Sequence, residues 1–374
     1  MKISVNKRIY KLLGILDTPT IVYDQYIIDY IVSLLKRDTK NVKNIEICFS
    51  IKANSNKEVL KIFKNHGLGV EVASIEELKI AKSIGFNSIY CTSPGMSKEK
   101  IEYIYSNNVI FDFDSINQLA KWSKYNKNKS IGIRFKPESY KAGLNSRFGI
   151  SNLNSLKLKE LIDKNDLKLK QLHLHIGQKK DVYQFNNILN EIERNIRSLD
   201  IFDELEKINL GGGIDHLYVE NYDINTFWNL IEEFRNRVAN VLKKDLHIVI
   251  EPGTFLVNLA GFLYTKVINE RINIKENLQE LTIDASPFNL LAWSNPKPIK
   301  NTSSYNELVN TKIFGPTCYE EDFFNTTQNL PRLVIDDDIL YHPVGAYVTS
   351  IISSLHNLEK PKELVLTVNN QLLE

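Results

Sequence analysis

Six places in the 374-residue sequence combine residue types that do chemistry. Lys52 stands in Ser50-Ile51-Lys52-Ala53-Asn54, at the end of an apolar, β-rich run. An ammonium there either snorkels to a rim or is paired, neutralised or covalently used, because burying it alone is costly. Desolvation lowers a lysine pKa and makes the amine a Schiff-base nucleophile. His173 and His175 are spaced i, i+2, so on a strand they face one side. Such a pair can bind a metal, stack on a flat ligand or fill a core. Gly211-Gly212-Gly213 and Glu251-Pro252-Gly253 end two more apolar runs, and glycine turns let backbone N–H groups approach phosphate oxygens. Cys318, in Gly315-Pro316-Thr317-Cys318, and Tyr347, in Gly345-Ala346-Tyr347, sit on turn-like segments. A packed thiol and a strand-edge tyrosine are the plainer readings of those two.

Glu251 decides between these alternatives. A carboxylate facing a bound phosphate is repelled, whereas one facing a protonated ring nitrogen is satisfied. A lysine for a Schiff base, a histidine to stack, a phosphate cradle and a carboxylate are together what pyridoxal 5'-phosphate requires. The other histidines, His66, His216, His342 and His356, are not spaced as a metal site, so no metal is expected.

These residues need elements to position them. Short β-rich runs recur at 45–51, 69–73, 88–91, 109–113, 131–135, 169–176, 208–210 and 246–250. Helical candidates lie between them, including 57–65, 75–85, 115–124 and 185–200. Strands alternating with helices predict βαβ units and a parallel sheet. Eight units point to a closed (β/α)8 TIM-type barrel, for which ~250 residues is typical, rather than an open doubly wound sheet. In such barrels the chemistry collects at the C-terminal ends of the strands, where Lys52, His175, Gly213, Glu251 and Gly253 all fall. After Gly253 the rhythm changes. Apolar runs at 257–267, 282–284, 333–336 and 363–368 alternate with turn-rich spacers and read as a second, mainly antiparallel β domain. The expected division is a barrel over 27–255 and a β domain over 256–374 with 1–26. Pro19–Tyr23 could alternatively join the barrel.

In this order the motifs resemble one family: the fold-type III pyridoxal-phosphate decarboxylases, the alanine-racemase-fold group of ornithine and diaminopimelate decarboxylases. The resemblance runs from about Thr18 to Val368, and Val72-Ala73-Ser74, Phe113-Asp114-Ser115 and Arg147-Phe148-Gly149 also carry it. It implies that Lys52 is the Schiff-base lysine and that His175 stacks on the cofactor ring. It implies that Gly213 and Gly253 cradle the phosphate with Tyr347, that Glu251 pairs the pyridinium, and that Cys318 returns a proton after carbon dioxide leaves. It further implies a homodimer with shared active sites, into which Cys318 and Asp322 of one subunit reach across, and an N-terminal segment folded into the β domain.

Departures from the family pattern bear on substrate. The acid that usually follows the cysteine is Tyr319, the next position is Glu320, the usual Glu-Pro-Gly-Arg is Glu251-Pro252-Gly253-Thr254, the residue after His175-Ile176-Gly177 is Gln178, and Leu355-His356-Asn357 stands where Phe-Asn-Gly is usual. Tyr319, Glu320 and Asp322 are therefore the expected substrate-reading residues. A site lacking its distal carboxylate loses discrimination for an ammonium, so free ornithine, lysine and diaminopimelate are expected not to be substrates. A larger amino-acid conjugate, such as a polyamine, siderophore or peptide-antibiotic intermediate, is expected instead. Two rivals are a racemase of the same fold and a non-catalytic pyridoxal-phosphate carrier. The Gly-Pro-Thr-Cys segment speaks against the first and the full β domain against the second.

Composition sets the outer bounds. Forty-seven basic against 45 acidic residues give a charge of +2, which predicts no general polyanion-binding surface and no nucleic-acid partner. No stretch reaches the ~20 apolar residues of a membrane span. Three cysteines make no disulfide framework in a chain this long and read as reduced thiols of a cytoplasmic protein.

Overall fold

The computed structural model describes residues 5–139, 146–177, 182–219, 222–324 and 327–374. Gln178 lies outside them. The chain separates into two compact units. One comprises Val32–Lys52 and Phe63–Phe255, the other Met1–Ile31, Ala53–Ile62 and Leu256–Glu374.

The first strand, β1 (Thr20–Asp24), belongs to the second unit. The first unit is a closed parallel barrel. Its strands are β2 (Ile45–Ser50), β3 (Gly69–Val72), β4 (Ile89–Thr92), β5 (Phe111–Phe113) and β6 (Ser130–Lys136). After the short β7 (Ile150–Ser151), which pairs only with β6, come β8 (Lys168–His173), β9 (Lys207–Asn209) and β10 (His247–Ile250). Each strand pairs in parallel with the next, β6 pairs with β8, and β10 returns to β2 with Ile248 opposite Ile45, which closes the ring at eight strands. The expected barrel is the observed one.

Local chemistry sets the helices between strands. Ser74 caps Ile75–Ile84 by accepting from the Glu77 N–H, and Gly85 ends it in the left-handed conformation. Ser115 caps Ile116–Ser123 in the same way. Aromatic contacts fill the layer between strands and helices. Phe49 packs on Phe63 with centroids 4.3 Å apart, and Trp122 packs on Tyr105 at 4.8 Å and Phe113 at 5.1 Å. One interior position has no alternative to glycine: a Cβ on Gly132 would overlap the Asp112 carboxylate beside it.

The second unit is a mostly antiparallel sheet. Its strands are β1, β11 (Gly261–Asn273), β12 (Leu278–Ile283), β13 (Lys297–Asn301), β14 (Leu308–Phe314), β15 (Gln328–Pro331), β16 (Asp338–His342), β17 (Lys362–Leu366) and β18 (Leu372–Leu373). Their order is β15-β14-β12-β11-β1-β17-β18, with β16 also on β11 and β13 on β16. Only β1–β17 and β12–β14 run parallel. Thr20–Asp24 therefore joins this sheet and not the barrel. The run at 333–336 is not a strand. Asp336 turns with φ +73°, the Asp337 carboxylate accepts from the Val334 N–H, and the strand begins only at Asp338.

Candidate active site

Within the barrel, Lys52 sits in a short turn directly after β2. Its Nζ lies 2.8 Å from Glu71 Oε2 on β3. The lysine side chain is 38% exposed and the glutamate 1%, so the amine stands at a mouth and its counter-ion at the bottom. The other oxygen, Glu71 Oε1, is buried without a hydrogen-bond partner among the described residues.

Glu251 follows β10 and is buried. Asn209, at the end of β9, donates to its Oε1, and His173 Nε2 lies 3.4 Å from its Oε2. Burial pushes such a carboxyl up, but His173, Lys52 and Asn209 outweigh it and hold Glu251 well below the usual carboxylate range. Glu251 is thus a buried anion. Asp112, on β5, takes the opposite course: burial, only partly offset by His173 and Gln171, raises it to about 7. Gln171 donates to Asp112 Oδ1 at 2.9 Å, while Oδ2 lies 3.6 Å from His173 Nδ1.

The glycine turn is built close against this cluster. Gly211 has φ +65°, and a Cβ there would stand 2.7 Å from the Leu174 carbonyl and 2.8 Å from His175 Nδ1. A Cβ on Gly212 would stand 2.6 Å from the Glu251 carbonyl oxygen. The Gly212 N–H donates to His175 Nδ1 at 3.4 Å, which places a neutral ring's proton on Nε2. Gly213 continues the turn at φ +79°, and Gly253 precedes the short helix Thr254–Val257. One atom each of His173, His175 and Glu251 gathers within 4.8 Å of the others.

In the β unit, Cys318 is an exposed free thiol whose N–H donates to His356 Nε2 at 3.2 Å. The departure from Phe-Asn-Gly thus gives the cysteine turn a side-chain anchor. Asp322 is buried and accepts four hydrogen bonds: Ser286 Oγ at 2.8 Å and Phe288 N at 2.9 Å on Oδ1, Thr317 N at 3.2 Å and Thr317 Oγ1 at 2.6 Å on Oδ2. Tyr319 is exposed, with its ring 4.6 Å from Phe288. A cavity of about 260 Å³ lies beside this turn, lined by Arg271, Glu280, Thr282, Cys318 and Glu320 among others. Tyr347 sits on a separate turn of the same unit at φ +54°. Its N–H donates to the Ala53 carbonyl at 2.8 Å, and its ring lies 5.5 Å from Trp293.

The barrel therefore gathers Lys52, His175, Gly213, Glu251 and Gly253 at the strand ends, and the β unit carries Cys318, Tyr319, Glu320 and Asp322 on one turn. Sequence reasoning passed over Glu71, Asp112 and Asn209. Each is a lone polar residue inside an apolar run, the signal that singled out Lys52. The barrel residues fit pyridoxal phosphate. A buried anion suits a pyridinium, a turn too tight for any Cβ suits a phosphate, and a lysine at the mouth suits an aldehyde.

Residues 28–258 match the model of a family described as pyridoxal-dependent decarboxylase, pyridoxal binding domain. A diaminopimelate decarboxylase of Buchnera aphidicola subsp. Schizaphis graminum is 26% identical, over 94% of this chain and 89% of that one. One of Escherichia coli K12 is 23% identical, over 91% and 86%. The fold is that of a Helicobacter pylori diaminopimelate decarboxylase solved with L-lysine, with TM-score 0.79 and 24% identity over 98% of this chain and 95% of that one. A further diaminopimelate decarboxylase structure superposes with TM-score 0.82 at 22% identity, over 95% and 90%.

These relatives overturn the expectation that free diaminopimelate and lysine lie outside the chemistry of this site. The relatives align over almost the whole chain and are named for diaminopimelate, and one neighbour holds lysine. The inference from Tyr319 failed because the carboxylate expected there is supplied one position on. Glu320 follows immediately and lines the cavity beside Cys318, so the turn has not lost its carboxylate.

Proposed function

Because the chain belongs to the pyridoxal-dependent decarboxylases, we propose that this carboxy-lyase removes one carboxylate of diaminopimelate, leaving lysine and carbon dioxide. The observation that carries the substrate is the cavity beside Cys318. It presents the Arg271–Glu280 ion pair and the carboxylate of Glu320 to the same space. The distal end of diaminopimelate bears both a carboxylate and an ammonium, and a lining of both signs answers both.

Bound pyridoxal phosphate supplies an electron sink for the pair released when the bond from Cα to the carboxylate breaks. The residues of the chain do the rest. Lys52, with Glu71 as its counter-ion, would hold the cofactor through its amine. Glu251 would keep the proton on the cofactor's ring nitrogen. His175 would pack on the ring. The N–H groups of the turn at Gly211–Gly213 and of Gly253, with the Tyr347 hydroxyl, would hold the phosphate. Cys318 returns a proton to Cα. The active form is a homodimer in which the turn of Cys318 and Asp322 serves the partner's site. We place the enzyme in the cytoplasm, where its three free thiols stay reduced.

The test is direct. Purified holoenzyme is incubated with meso-diaminopimelate, and carbon dioxide and lysine are measured in equal amounts. Turnover of another amino acid with none of diaminopimelate refutes the substrate. Racemisation without carbon dioxide refutes the reaction class.

A further inference from the structure

His173 has no part in the mechanism above, yet it is buried between two carboxylates. Its Nδ1 lies 3.6 Å from Asp112 Oδ2 and its Nε2 3.4 Å from Glu251 Oε2, and its side chain is 2% exposed. Neither ring nitrogen has a hydrogen-bond partner among the described residues, so both carboxylates stand at ion-pair distance. A neutral imidazole carries one N–H. Once Asp112 is ionised, above about 7, a neutral ring can face one carboxylate with a proton but must present a lone pair to the other. A ring with both protons faces both correctly and balances the charge of a buried anion that would otherwise be costly.

We propose that His173 is a positioning residue that carries both ring protons and, bridging Asp112 to Glu251, fixes the carboxylate that meets the cofactor's ring nitrogen. Four elements converge on it. Asp112 comes from β5, Gln171 from its own strand β8, Asn209 from β9, and Glu251 from the turn after β10. The His175 ring lies 6.4 Å away, and the Lys52–Glu71 pair adds its field from β2 and β3. Asn209 fixes Glu251 Oε1 and donates nothing to Oε2, so the orientation of the second oxygen falls to His173. The proposal rests on the cofactor but not on the substrate.

Nitrogen NMR of histidine-labelled holoenzyme and of the cofactor-free protein tests it, with His173→Gln providing the assignment. Above a pH of about 7, where Asp112 is ionised, both His173 nitrogens are expected to resonate as N–H. His173→Gln is expected to lower kcat roughly ten- to hundredfold, as loss of a partner that orients a cofactor-binding group does, with KM little changed. One unprotonated His173 nitrogen, or an unchanged kcat in a folded variant, overturns the proposal. If His173→Gln does not fold, Asp112→Asn decides: removing one acceptor is expected to strip the proton from one nitrogen of a single histidine, and identical ring signals overturn the bridge. Because the signals are also read without cofactor, a wrong substrate assignment leaves this test intact.

Discussion

Replacing Asp322 by alanine removes one carboxylate and strands four donors at once. Ser286 Oγ, Phe288 N, Thr317 N and Thr317 Oγ1 all give their hydrogen bonds to it, and its side chain is buried. A hydrogen bond to a charged acceptor contributes ~1.5–3 kcal/mol, and orphaning a buried donor costs ~1–3 kcal/mol. The four do not add, since the hydroxyls can turn toward water and the turn can relax. The two backbone N–H groups cannot escape, so a loss of roughly 3–5 kcal/mol is expected. Asp322→Asn keeps an oxygen for Ser286 and Phe288 but turns an NH2 toward Thr317, whose hydroxyl can rotate while its N–H cannot. Its expected cost is ~1–2 kcal/mol. Because the protein has two units, the loss is best read locally. Hydrogen exchange at the amides of Thr317 and Phe288 should accelerate roughly a hundredfold or more in Asp322→Ala and about tenfold in Asp322→Asn. Alkylation of Cys318 should change with it, since both residues share the turn. If both amides keep their parent exchange rates in Asp322→Ala while turnover is lost, Asp322 touches the substrate and does not act as the anchor of the turn.

The remaining predictions concern the barrel and its chemistry. Lys52→Ala should lose the visible absorbance of the substrate-free holoenzyme, and a persistent yellow form would remove Lys52 from its role. Cys318→Ala should still bind cofactor but lose turnover, measured as carbon dioxide; unchanged turnover would mean that another group returns the proton. Asp112 ionises near 7 in the fold against an ordinary 3.8, so between those values the native state holds the proton that the unfolded chain has released. Its contribution to stability therefore falls as pH rises across that window, by on the order of a few kcal/mol, and is flat above it. Asp112→Asn should flatten that slope in denaturation curves taken at successive pH values; an unaltered slope would show that Asp112 is ionised throughout.

The barrel was legible because its period is loud. Eight apolar runs with capped amphipathic segments between them allow few folds, and Ser74 and Gly85 even mark the ends of a helix. The cofactor side of the site was legible for a related reason: a lysine, two histidines and glycine turns interrupt strands that are otherwise apolar. What the sequence hid was pairing across strands. Glu71 meets Lys52, and Asp112 and Glu251 flank His173, only once the ring has closed. The β unit was read less well because β13 (Lys-Pro-Ile-Lys-Asn) and much of β14 and β15 are half exposed and lack an alternating apolar pattern. Leu333–Asp336 misled in the opposite sense, since Leu333 is buried but the segment turns on Asp336. The substrate was misread because recognition by a turn depends on all the charges that line its cavity, and Glu320 and Arg271 are brought there by the fold.

The central place of Thr20–Asp24 in the second sheet has a consequence for how the protein is made. The strand is hydrogen-bonded to β11 on one side and to β17 on the other, with Thr20 opposite Tyr264 and Lys362. Neither neighbour exists when it leaves the ribosome. A Thr-Ile-Val-Tyr-Asp strand, buried along its whole length in the finished sheet, must stay unpaired while most of the chain is still being translated. The barrel strands, which all lie between, can close in the meantime from residues already in hand. β1 is thus completed only once β17 has been made, and a nascent chain halted before β17 would carry an apolar strand with one side open to the wrong partner.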